Sequence, residues 1–230
     1  MTLYGVELVV ADDLEQAASI LADTLVGAAR AGHAIALTGG HSPGRGYQLA
    51  AEREPNWGKA SLWWGDDRCV PPDDERSNYR LARENLLDRL QAQPAETRRI
   101  RGELGAEAAA EEYDALLQDV QLDLVLLGLG PDGHTASLFP NTPVLEERER
   151  RAVPTEAKLE PFVDRVTMTI PVLASIPEVV FIVTGADKAD AAERAFGRPP
   201  DPETPASLVR STAGTTRVVA DRAAAAGLLD

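Results

Sequence analysis

Residues 122–140, LDLVLLGLGPDGHTASLFP, drive an apolar run straight into a glycine-studded turn. Leu122, Leu124, Val125, Leu126 and Leu127 make up that run, the mark of a short strand covered on both faces. Such a strand belongs in a sheet with helices on either side, so it constrains the fold more than any other segment. Gly128, Gly130 and Gly133 then permit a tight turn and a close approach to a ligand. Ligands of open α/β sheets bind outside the carboxyl ends of the strands. His134, at the exit of this turn, is therefore the first candidate for chemistry, although a histidine after a turn is also often a satisfied structural residue.

The remaining periodicity agrees with a layered α/β arrangement. Residues 5–10 predict a strand, and Asp12 with Glu15 predicts the start of a helix carrying Leu14, Ala18, Leu21 and Leu25, which Gly32 ends. Strand 34–38 leads through GGHSPGRG to a helix at 47–53. Strand 61–64 is followed by a proline-bearing loop at 66–78 and an amphipathic helix at 79–90. A helix at 106–118 precedes the strand of the opening. Val166, Met168 and Ile170 alternate like a half-exposed strand, and 178–184 reads as a second fully apolar one. A helix at 186–196, a proline-rich connector at 197–205, a strand at 216–220 and a helix at 221–229 complete the chain. Strands alternating with helices imply βαβ units. The expected fold is a single α/β domain over residues 1–230, with a mostly parallel, doubly wound, Rossmann-like sheet and helices on both faces.

A formal charge of -14 opposes binding to nucleic acid or anionic membrane, yet a few converging cations can still hold a small anion. No apolar run approaches the roughly 20 residues of a membrane span, and the first residues lack a basic, then apolar, leader pattern. A cytoplasmic protein is expected, as a monomer or weak homodimer. The single cysteine, Cys69, cannot form an internal disulfide.

Several local motifs fail on their chemistry. Residues 40–44 fit G-x-S-x-G, but the nucleophile elbow needs the N–H after the serine, and Pro43 has none. The triad histidine should also come late, whereas the last of the three histidines is His134. As a P-loop, the same segment has Arg45 for the lysine and Gly46 for the hydroxyl residue. What survives is a glycine-rich turn entering a helix, with Ser42 as its expected cap and Pro43 in its first turn, a fit cradle for phosphate. Residues 128–133 fit G-x-G-x-x-G, yet no long helix can follow before Pro140. His33 reads as a helix-end residue and His41 is ambiguous. No metal-ligand spacing links the histidines to one another or to Cys69. Asp66, Asp67 and Arg68 follow a strand directly, where an arginine can grip phosphate or simply join surface ion pairs. Lys188 sits at a predicted helix start, a place the dipole disfavours for a cation unless an anion lies between them.

Together LTGGHSP, WGDDRCVPPDDERSN, GLGPDGHTASLFP and TGADKADAAERAF resemble, in order and over nearly the whole chain, the 6-phosphogluconolactonases, relatives of the glucosamine-6-phosphate deaminases. The resemblance implies hydrolysis of 6-phospho-D-glucono-1,5-lactone without cofactor or metal, since a strained lactone is already an activated ester. It implies His134 as general base, with Asp132 and Asp66 orienting the base or the substrate. Arg68, Lys188, Ser42 and the N–H groups around Gly39 and Gly40 would hold the phosphate. His41 and Asp67 depart from the family's usual small hydroxyl residue and glutamate. A deaminase would carry a glutamate at the position of Phe139, which cannot ionise. A phosphosugar sensor of transcription should bring a DNA-reading module, whereas this chain starts almost at its first strand.

Overall fold

The computed structural model describes residues 2–229. In chain order the strands are β1 (Thr2–Leu3), β2 (Val6–Ala11), β3 (Ala34–Leu37), β4 (Ser61–Trp64), β5 (Asp66–Arg68), β6 (Glu96–Thr97), β7 (Leu124–Leu127), β8 (Ala152–Thr155), β9 (Arg165–Met168), β10 (Glu178–Val183) and β11 (Thr215–Asp221). The α-helices are α1 (Leu14–Ala31), α2 (Pro43–Arg53), α3 (Asn78–Asn85), α4 (Ala106–Gln118), α5 (Ile170–Ser175) and α6 (Ala189–Phe196).

Eight strands form the main sheet in the order β1-β2-β11-β10-β7-β3-β4-β6. Only the β1–β2 pair is antiparallel. The apolar runs occupy its centre, as their lack of alternation demands: every residue of β3 and β7 is buried, and so is β10 after its first residue. From β3 the chain builds outward through β4 and β6, then returns to β3's other side with β7. That reversal makes a topological switch point, where the loops leaving β3 and β7 diverge and open a crevice.

Helix α1 shows how local chemistry sets the boundaries. Asp13, not Asp12, is its cap, accepting the Gln16 N–H at 2.8 Å, while Gln16 rather than Glu15 reaches back to the Asp12 N–H at 2.5 Å. Gly32 ends the helix at φ 78°, the left-handed turn that a residue without Cβ enters most easily.

The sequence reading missed a second sheet. The start of the predicted loop at 66–78 is β5, which pairs antiparallel with β9, itself paired with β8. All four residues of β9 are buried, so the alternation at 166–170 does not mark a half-exposed strand. Helix α4 packs over β8 and β9 and removes the side that would have faced water. Ile170 opens α5 instead of extending the strand. At the other end of the chain, the helix expected at 221–229 is replaced by turns and a short 3-10 helix, Ala226–Leu228. The Asp221 carboxylate instead takes the N–H groups of Ala224 and Gly185.

Two tyrosines finish strand ends in the same way. The Tyr47 hydroxyl, from α2, accepts the Thr38 N–H at 3.0 Å and donates to the Thr38 carbonyl at 2.7 Å. Tyr113, from α4, does the same for Trp64, with both bonds at 2.9 Å. Both phenols are fully buried, so these bonds satisfy backbone groups that water cannot reach. Burial also pushes both hydroxyls well above the ordinary tyrosine range.

Candidate active site

A cleft of about 980 Å³ opens over the carboxyl ends of β3, β4, β7 and β10. Gly39, Gly40, Ser42, Asp66, Arg68, His134 and Lys188, gathered from strand β5 and the segments that follow β3, β7 and β10, all line it. Asp132 is not among the lining residues but touches one of them, His134. No described helix is long and apolar enough to cross a membrane.

The turn after β7 closes through Gly133 N–H to the Gly130 carbonyl at 3.0 Å and Gly130 N–H to the His134 carbonyl at 2.8 Å. A Cβ built on Gly130 would run into the His134 ring, so the turn depends on glycine there. Asp132 Oδ1 accepts the His134 backbone N–H at 3.1 Å and faces His134 Nδ1 at 2.5 Å. With Nδ1–H donated to that carboxylate, Nε2 keeps its lone pair and can act as a base. Burial favours the neutral form of Asp132, but the bonds from His134 outweigh it and hold the carboxyl below its usual range.

Asp66 is buried, with Oδ2 accepting from Ser137 Oγ at 2.6 Å and Oδ1 from Asn78 Nδ2 at 3.2 Å. Its carboxylate is therefore fixed by two neutral donors and paired with no cation among the described contacts. Asp67 has a structural task. It gathers the N–H groups of Arg68, Asn78 and Tyr79 and the Ser77 hydroxyl, tying the start of α3 to β5. Burial pushes its carboxyl up to about 6.

The glycine loop after β3 takes its shape from its neighbours. A Cβ on Gly39 would overlap the Asn78 carboxamide, and Gly40 sits at φ 94°. Ser42 does not cap α2. Its own backbone is already helical and its Oγ lies 2.8 Å from Thr184 Oγ1, so the hydroxyl joins the β3 loop to the loop after β10. Lys188, immediately before α6, lines the cleft with Nζ 3.4 Å from Asp187. His41 is exposed on the lip.

Arg165 is the residue that sequence reasoning missed. It faces Arg68 across the β5–β9 ladder, lines the same cleft and is 3% exposed. The Nε of each arginine is buried without a partner. Burial, and then the neighbouring Arg68, lowers the Arg165 guanidinium below its usual value. Two adjacent cations with unused donors form a site for a planar or tetrahedral anion. The available signal was an arginine inside the otherwise core-facing run R-V-T-M. Cys69, by contrast, has its thiol pushed up to about 11 by burial, which disfavours the reactive thiolate. Among the described residues no group of three or more His, Cys, Asp or Glu side chains is placed to hold a metal ion.

The chain is 39% identical to human 6-phosphogluconolactonase over 210 residues, 86% of this chain and 81% of that protein. A longer chloroplastic relative from Oryza sativa is 37% identical over a stretch covering 61% of this chain and 47% of that one. Among solved structures, 6-phosphogluconolactonase from Leishmania guyanensis superposes with a TM-score of 0.86 at 25% identity, covering 98% of this chain and 99% of that one. A family profile matches residues 10–218. By that match and these relatives, the chain belongs to the glucosamine-6-phosphate isomerase/6-phosphogluconolactonase family.

Proposed function

We propose that this protein hydrolyses 6-phospho-D-glucono-1,5-lactone to 6-phospho-D-gluconate, with His134 as general base and the phosphate held by Arg68, Arg165, Lys188, Ser42 and the Gly39–Gly40 amides. The carrying observation is the His134–Asp132 pair in a cleft that also holds two arginines, Arg68 and Arg165, each with a buried, unpartnered Nε. The family relationship supports a phosphosugar lactone as substrate.

His134 Nε2 takes a proton from water as the oxygen attacks C1, and the carbonyl becomes a tetrahedral oxyanion. The C1–ring oxygen bond then breaks, and the departing C5 alkoxide takes the proton back from the imidazolium. The new carboxylic acid then ionises to the carboxylate, releasing one proton to solvent and leaving His134 neutral. Asp132 is a positioning residue that holds the tautomer and stabilises the transient imidazolium. Asp66, fixed by Ser137 and Asn78, is suited to accept a sugar hydroxyl and orient the ring. The remote phosphate contacts convert binding into alignment of C1 with the water. A positioned base typically contributes about 10² to 10⁴ in rate.

The test offers purified protein fresh 6-phosphogluconolactone, unphosphorylated gluconolactone and glucosamine-6-phosphate, with spontaneous hydrolysis subtracted. Rapid acid release from the first alone, lost in His134→Ala, is expected. Ammonia from the third, or a fully active His134→Ala variant, would reject the assignment.

A further inference from the structure

The ring of Phe139 has no part in the chemistry above, yet it touches two of its components. It is fully buried. The His134 imidazole packs against it with ring centroids 4.7 Å apart and planes inclined by 41°. The Arg165 guanidinium carbon lies 5.3 Å from the centroid of the same ring. One phenyl ring therefore bridges the base, at the exit of β7, and a cation that enters the cleft from β9.

Arg165 has few other restraints. Its Nη2 donates to the carbonyls of Leu159 at 3.4 Å and Pro161 at 3.2 Å, both at the long end of the normal range, while its Nε is unpartnered. An anion arriving at Nε would pull on a guanidinium that rests against the aromatic ring, with the Asp66 and Asp67 carboxylates near enough to act on it from the other elements. A close-packed ring with no exposed edge passes such a displacement on to what lies against it. Here that is the imidazole.

We infer that Phe139 is a positioning residue whose ring couples occupation of Arg165 by an anion to the setting of the His134 imidazole. The inference rests on reading Arg165 as part of the phosphate clamp and His134 as the base. It gives the apolar residue at this position a physical reason, because a carboxylate there would pair with Arg165 and compete with the substrate.

The test titrates inorganic phosphate into isotope-labelled protein and follows the imidazole signals, with His134 assigned through His134→Asn in a chain of three histidines. Phe139→Leu and Phe139→Met both remove the ring while keeping the site apolar, so either one that folds is informative. Occupancy is matched at saturation through the amide signals of Gly39 and Gly40. Phosphate should move the His134 signals in wild type, and the movement should fall by at least half without the ring. In the lactonase assay kcat/KM should drop about tenfold, shared between kcat and KM, the scale of one aromatic pair plus one cation–π contact. Arg165→Lys should then have less effect in the Phe139→Leu background than alone. Equal movement of the His134 signals with and without the ring, no movement in wild type, or strictly additive kinetics would overturn the inference. The base assignment fails separately, through full activity of His134→Asn, and the phosphate titration does not depend on it.

Discussion

Replacing Asp132 by asparagine isolates the electrostatic support of the proposed base, His134. The carboxylate receives two bonds from His134, at 2.5 Å from Nδ1 and 3.1 Å from the backbone N–H. Asparagine Oδ1 can keep the backbone bond, so the turn should persist and stability should change by less than about 1 kcal/mol. What disappears is the negative charge facing the imidazolium in the transition state. With both side chains mostly screened from solvent, at 19% and 28% exposure, a hydrogen bond to a charged group of this kind contributes about 1.5 to 3 kcal/mol. At about 1.4 kcal/mol per tenfold, kcat should fall roughly 10- to 150-fold. If the new amide turns its NH₂ toward Nδ1, the proton moves to Nε2 and the loss is larger, about 10⁴-fold. KM should stay within about twofold, because the residues proposed to hold the phosphate lie on other segments of the chain. Initial acid release in a pH-stat, corrected for spontaneous opening of the lactone, measures both constants. A kcat within twofold of wild type in a folded Asp132→Asn protein would refute this account of the dyad.

Three further outcomes follow from the same geometry. Gly130→Ala places a methyl group in the space of the His134 ring, so kcat should drop at least about 100-fold, the low end of a base's contribution, while the amide signals of the Gly39 loop stay unmoved; normal turnover would contradict the packing. Tyr47→Phe removes both bonds to Thr38 and should lower unfolding free energy by about 1 to 3 kcal/mol and raise KM, as read by urea denaturation and substrate titration; unchanged stability would show that those backbone groups find other partners. Asp67 holds its proton more tightly when folded, at about 6 against an ordinary 3.8, so its own contribution weakens as pH rises from about 4 to about 6. Relative to the non-titrating Asp67→Asn, wild type should therefore gain roughly 2 kcal/mol between pH 7 and pH 4, and a pH-independent difference would exclude the raised value.

The parallel sheet was legible because its central strands are apolar without interruption, a pattern that local chemistry alone can specify. The loops at their carboxyl ends were legible for a related reason: glycines at 39, 40 and 130 mark backbone that must turn or lie against another group. The β5–β9–β8 sheet was not legible. Its strands span three or four residues, and the helix that covers β8 and β9 is α4, which is distant in sequence from both. Arg165 went unrecognised with it, since only the register opposite Arg68 brings the two cations together. Ser42 looks like a cap by residue type, but its hydroxyl found Thr184, 142 residues away, a competition that no local pattern records. The closing helix was misread because alanines from 223 to 226 favour helix intrinsically, whereas the Asp221 carboxylate draws the chain into turns there.

The paired phenols that fasten Thr38 and Trp64 separate two kinds of change this architecture can undergo. Because the backbone groups of Thr38 and Trp64 are satisfied by side chains anchored in α2 and α4, the segments beyond β3 and β4 do not have to supply partners for them. Their composition is free to answer to chemistry alone. A lineage built this way can rewrite what happens at the rim, turning ester cleavage into amine release or the reverse, while the frame beneath keeps its register.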